Sequence, residues 1–140
     1  MEHSIQTIML REHGKINALL INYEREPSFK KFNDLKWALE KHLFVEEKVI
    51  FEIYDNSTAQ EIEELNQLIK EHKDMLWFLS GIENNENNNS RISILKKILP
   101  NHARFEDEIF YPRLDEELDE ELDEEKKKLI IERCSEVFRE

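Results

Sequence analysis

His42 and Glu46, and again His102 and Glu106, form two His-x-x-x-Glu pairs sixty positions apart. Each pair follows an isolated Glu-His dipeptide at nearly the same interval. His13, preceded by Glu12, lies 29 residues before His42, and His72, preceded by Glu71, lies 30 before His102. Four of the five histidines therefore belong to one duplicated pattern. Neutral imidazole together with carboxylate is the donor set of a borderline transition metal, and a doubled set implies two ions.

Such a pattern works only if helices carry it, because spacing i to i+4 puts two side chains on one helix face, one turn apart. Apolar spacing predicts four such helices. The first runs from about Ser4 to Tyr23 on the stripe Ile5, Met9, His13, Ile16 and Leu20, and is broken by Glu26, Pro27 and Ser28. Ser28 is the expected N-cap of the second. That helix runs to about Tyr54 with Phe32, Leu35, Leu39, His42, Glu46, Val49 and Ile53 in phase. Asp55, Asn56 and Ser57 turn the chain, and Ser57 has capping-box spacing to Gln60. The third helix carries Ile62, Leu65, Ile69, His72, Met75, Leu76 and Leu79 and fades near Gly81. A polar low-complexity linker over 83–90 follows. The fourth carries Ile92, Leu95, Ile98, Leu99, His102, Phe105, Glu106 and Ile109 and is expected to end near Pro112. Pro100 interrupts it just before His102, either as a tolerated kink or as a bend that aims His102 and Glu106.

All six candidates, His13, His42, Glu46, His72, His102 and Glu106, lie on the stripe that must face inward. In an up-down-up-down bundle their heights also agree. His13 and His42 are each roughly 20 Å from the first turn at a rise of ~1.5 Å per residue, and the other two histidines are placed alike. Facing side chains in one layer are how bundle metal sites are built. A single His-x-x-x-Glu in so glutamate-rich a chain is ordinarily a surface pair. Four inward imidazoles and two inward carboxylates without an ion would instead leave unpaired polar groups in an apolar layer.

Composition agrees with an all-α chain: only two glycines and three prolines interrupt 140 residues, of which 37% are charged and 39% hydrophobic. We expect one domain over 1–140, with the four-helix bundle in 1–117 and an additional C-terminal amphipathic helix in 118–140. A formal charge of −12 argues against a nucleic-acid or anionic-membrane partner. No signal peptide or membrane span is expected, and the lone Cys134 suits a reducing cytoplasm. In the tail, Leu-Asp-Glu-Glu repeats from Leu114 to Glu125. Leucine every fourth residue fits a helix laid on the bundle, or on a second copy in a homodimer through this helix. Tyr23, Tyr54 and Tyr111 read as packing residues with wet hydroxyls.

At these residues the chain resembles the hemerythrin-like family, the cation-binding HHE domains, over about residues 5 to 115. The order His, His-x-x-x-Glu, His, His-x-x-x-Glu carries the resemblance, as do the two Glu-His starts and the acidic-apolar-Pro run from Glu106 to Pro112. The resemblance implies a four-helix bundle with two non-haem iron ions and an oxide or hydroxide bridge; sequence alone does not separate iron from manganese. By the same resemblance His13 and His42 would serve one ion, His72 and His102 the other, and Glu46 and Glu106 would bridge. Two departures bear on function. Oxygen carriers of the family have a further histidine four positions after the one matching His72, where this chain has Leu76. Their last carboxylate is an aspartate at the spacing of Asp107, but Glu106 mirrors Glu46 in the repeat and is the expected ligand.

The expected activity is binding of, or reaction with, a small molecule: dioxygen, peroxide or nitric oxide. An apolar lining from Met9, Ile16, Leu39, Leu65, Leu76 and Phe105 would admit it. Carrier and enzyme remain alternatives, as does an iron- or oxygen-sensing regulatory module. Iron donation for iron-sulfur centre repair is a further alternative, although the repair proteins that share this core usually add a cysteine-bearing module.

Overall fold

Ser4 and Ser28 open the first two helices in extended backbone, and each hydroxyl accepts the amide N–H three residues on, from Thr7 at 3.0 Å and Lys31 at 3.1 Å. These caps fix α1 (Ile5–Arg25) and α2 (Phe29–Val45), with the break at Glu26, Pro27 and Ser28 where expected. A computed structural model describes residues 4–51, 59–83, 88–120 and 124–139. Further along are α3 (Ala59–Glu83), α4 (Asn88–Phe105), α5 (Tyr111–Glu120) and α6 (Glu124–Arg139). The fold is all-α, with no strand among the described residues. His3, Tyr54, Ile53, the turn at 55–57 with its Ser57 cap, and Leu122 lie outside them. Helix α4 begins at Asn88, inside the segment read as linker.

Two wide turns were not legible in the sequence. Glu46–Ile50 continues α2, and Glu106–Phe110 continues α4, as π-helical turns in which the N–H of Phe51 reaches the Glu46 carbonyl and that of Tyr111 the Glu106 carbonyl. Each turn starts at the glutamate of a His-x-x-x-Glu pair. A π turn adds one residue to the helical repeat and so rotates everything after it. Ile109, expected on the inward stripe, is therefore 49% exposed, while Phe110 and Tyr111 are buried. Pro112 does not end the helix either: the chain runs helically through it into α5, and the Asp107 carbonyl one turn before it accepts the Gln6 side-chain amide at 2.8 Å.

The helices pack α1 on α2, α3 on α4, and α1 on α4 and α5. Their buried side chains form two separate apolar clusters. One holds Ile5, Met9, Val45, Ile50, Leu68, Phe110, Tyr111 and Leu114, and the other Ile16, Leu20, Leu35, Leu39, Met75, Leu79 and Leu95. In α1 and α3 the histidine falls between the contributions to the two clusters, His13 between Met9 and Ile16 and His72 between Leu68 and Met75; in α2 the change comes just after His42, between Leu43 and Val45. The core is thus split by a polar layer.

The tail folds back on this body. Helix α6 packs on α1, α2 and α5, burying Ile130 and Cys134. Helix α5 contributes Leu114 and Leu118 to the core, and its Asp115 carboxylate accepts the Ile5 and Gln6 amide N–H groups at 2.9 and 3.0 Å. Asp115 thus caps α1 from 110 residues away, and Lys127 of α6 approaches it at 3.4 Å. At the other end, Gly81 leaves room for Arg91, whose guanidinium lies 4.2 Å over the Trp77 ring and clasps α3 to α4.

Asp115→Ala should remove two caps from buried amides and lower unfolding free energy by about 1–3 kcal/mol. A urea denaturation midpoint unchanged from the parent would show that Ser4 caps α1 without it.

Candidate metal centre

The split in the core is filled by the six residues singled out from the sequence. Glu46, His72, His102 and Glu106 form one group, and His13, His42 and Glu106 another, with the ligand atoms of each group within 4.8 Å of one another. Glu46, His72 and Glu106 have no exposure at all, and His42 and His102 are buried. The imidazoles pair by ring, His13 with His42 at 4.7 Å between centroids and His72 with His102 at 5.0 Å.

Each carboxylate reaches both pairs. Glu46 Oε1 lies 2.9 Å from His42 Nε2 and 3.5 Å from His72 Nε2. Glu106 Oε1 lies 3.0 Å from His13 Nε2, and its Oε2 lies 3.2 Å from His102 Nε2. Each carboxylate thus meets the histidine one turn before it on its own helix and a second one across the bundle. Asp107, the rival to Glu106, turns elsewhere.

Three imidazoles are held from behind by acids. His13 Nδ1–H donates to Asp107 at 2.8 Å, His72 Nδ1–H to Glu47 at 2.7 Å and His102 Nδ1–H to Glu71 at 2.6 Å. Carboxylates only accept, so Nδ1 carries a proton, and each of these imidazoles, when neutral, keeps its Nε2 lone pair toward the centre. Glu46 is held in turn by the Tyr111 hydroxyl, which donates to Oε2. The sequence reading of Tyr111 as a packing residue with a wet hydroxyl is therefore corrected. The π turn carries it inward, and it is fully buried. Glu47 and Glu71 were not singled out for this role; the signal was available, since each stands beside a candidate ligand.

The charges follow from this geometry. Burial works against a charged His13, but its hydrogen bonds to Asp107 and Glu106 outweigh it and push the imidazole up to about 10. His102 is likewise pushed up to about 10, burial being outweighed by the nearby Glu106 carboxylate and by the hydrogen bond to Glu71. Burial raises Glu106, and the charge of Glu46 raises it further. Glu46 is held well below the usual carboxylate range because the nearby histidines outweigh its burial. Burial and the two carboxylates keep Tyr111 a neutral phenol. Cys134 is pushed up to about 12 by burial and by Glu46, which makes it an inert thiol.

Can the residues hold an ion? Glu46 Oε1, His72 Nε2, His102 Nε2 and Glu106 Oε2 are buried without hydrogen-bond partners. His13 Nε2 lies 3.1 Å from His42 Nε2 and 3.0 Å from Glu106 Oε1, contacts that need a proton or an ion between the atoms. Buried acceptors facing one another need a cation between them: protons at some positions, or a metal shared by all. The donor set fits a transition metal.

Beside the layer a cavity of about 310 Å³ is lined by His13, His42, His102, Ile16, Leu39, Met75, Leu99 and Pro100, with Leu10, Gly14 and Asn17 toward one edge. Of the expected lining, Ile16 and Leu39 are present. Met9, Leu65 and Phe105 pack elsewhere, and Leu76 is 39% exposed. Helix α3 turns His72, Met75 and Leu79 inward, so Met75 takes the place assigned to Leu76. The proline's role is also clear in part: α4 runs through Pro100, which forms cavity wall.

For the chelator-stripped protein, raised histidine values set the pH dependence. A group raised from 6.5 to about 10 on folding stabilises the fold fully below 6.5 and loses that contribution as pH rises to about 10. Melting temperature without metal should therefore fall between these limits, and a metal-loaded sample should resist the loss. A stripped protein whose melting temperature rises over that interval would contradict the assigned hydrogen bonds.

No curated protein and no solved structure matches the chain. A family model does: the hemerythrin HHE cation binding domain, over residues 4–114. With that match and a buried layer of histidines and glutamates in the order the motif requires, the chain belongs to the hemerythrin HHE family of metal-binding domains.

Proposed function

We propose that His13, His42, Glu46, His72, His102 and Glu106 hold two non-haem iron ions, and that the pair binds or reacts with dioxygen, peroxide or nitric oxide. The observation that carries this reading is the reach of both carboxylates to both histidine pairs. One imidazole pair per ion, with Glu46 and Glu106 spanning the two, uses every inward lone pair. An oxide or hydroxide bridge completes the proposed cofactor. Manganese satisfies the same donors.

When bound, such a pair supplies open coordination positions and one-electron chemistry. The chain supplies the rest. Asp107, Glu47 and Glu71 fix three imidazoles in one tautomer, and Tyr111 holds one oxygen of Glu46 so that the other faces the layer. Leu39, Met75 and Leu99 line a cavity that favours small uncharged molecules over water and ions. We read the helix order as an up-down-up-down bundle with α6 laid against it. Among the described residues no helix is long and apolar enough to cross a membrane, and a cytoplasmic setting remains part of the proposal.

A sensor is the second reading, and one contact favours it. The Phe138 ring of α6 stacks on His42 with centroids 6.1 Å apart. A change in how His42 is held would be felt by the tail.

Metal analysis of the purified chain should give two ions, and exposure of the reduced protein to air should develop the visible absorption of an oxygen-bridged ferric pair. Glu106→Ala should lose most of the metal, while Asp107→Ala should weaken binding by about 10- to 100-fold. A metal-free preparation that cannot be loaded, or equal losses in the two variants, would defeat the assignment.

A further inference from the structure

The duplication is broken at one atom. In the second half both imidazoles have acid partners, Glu47 on His72 at 2.7 Å and Glu71 on His102 at 2.6 Å. In the first half Asp107 holds His13 at 2.8 Å, but the buried His42 Nδ1 has no hydrogen-bond partner among the described residues. Phe138, which covers the ring, offers no acceptor.

The sequence nevertheless contains the missing acid. Glu12 precedes His13 as Glu71 precedes His72, and in the second half it is this residue that accepts from the histidine of the next helix, His102. Glu12 is buried, at 7% exposure, which is unusual for a glutamate on a helix surface. Its Oε2 is engaged instead by the Lys15 ammonium at 2.9 Å, one turn along α1.

A carboxylate behind a ligand imidazole raises its basicity and fixes its orientation, and loss of such a partner typically weakens metal binding 10- to 100-fold. The cavity adds a second asymmetry. It is lined by both His13 and His42, but by only His102 of the other pair.

We propose that the two ions are held unequally. The ion on the His13/His42 side is the weaker and exchangeable one, and Glu12 is a latent positioning residue for His42 that Lys15 draws away. This rests on the two-ion reading. It makes the exchangeable ion the one whose two histidines both line the same cavity.

The test is an anaerobic titration of the chelator-stripped full chain with cobalt(II), followed by visible absorption. Two steps separated by about 10- to 100-fold in affinity are expected. Lys15 is 56% exposed at its side chain, so Lys15→Met should fold normally; it should tighten the weaker step by roughly tenfold and leave the tighter one in place. Adding Glu12→Gln to Lys15→Met should cancel that gain, and Glu71→Gln should weaken the tighter step toward the other. Two ions of equal affinity in the parent chain, or both steps unmoved in Lys15→Met, overturn the proposal. Fewer than two ions bound by the parent would overturn the two-ion reading itself, and this result is separable because it appears before any variant is made.

Discussion

Lone pairs of six side chains, buried between two apolar clusters and aimed at one another, repel unless positive charge lies among them. That constraint organises the molecule. Hydrophobic burial above and below the layer brings the helices together, and the same packing would be opposed by the layer if it stayed bare. Protons relieve the repulsion in part, which is why His13 and His102 hold theirs so tightly. A metal relieves it for all six at once, because one ion can accept several lone pairs where a proton serves one or two. Folding and ion binding are therefore parts of one free-energy balance.

The π turns are the local device that makes the layer possible. An unbroken α-helix would keep Ile109 on the stripe of Glu106 and leave Tyr111 off it. One extra residue per turn, placed at each glutamate, rotates Phe110 and Tyr111 inward beneath the carboxylates. Tyr111 can then hold Glu46 from across the bundle. Wide turns of this kind are uncommon in regular helices and frequent at functional sites. Here the local cost lies next to the residues that need the altered direction.

Much of this was readable from residue spacing. Apolar periodicity located α1 and α2, Ser28 marked the start of the second, and the common stripe brought all six inward groups to one height. What periodicity could not reveal is where the period itself changes, so Ile109 was placed inside and only the Tyr111 hydroxyl in water. Leu76 was misplaced for a related reason. Met75 and Leu76 are adjacent, both apolar, and only the exact rotation of α3 decides which faces in. The acids behind the imidazoles stand beside candidate ligands in the sequence, but charged residues fill this chain, and choosing Glu47 or Glu71 from that background requires knowing which helices face each other. Asp115 capping α1 across the length of the chain is likewise a tertiary fact, hidden within a repeat that reads as solvated surface.

The acids behind the first histidine of each half are exchanged between halves. Asp107, beside the second glutamate, orients His13, while Glu47, beside the first, orients His72. Neither repeat unit therefore contains its own complete support, although each contains a nearly complete set of ligands. Two free copies of such a unit could regain every contact only by docking head against head about a twofold axis. A gene duplication that joined them would turn that mutual dependence from a matter of concentration into one of chain connectivity.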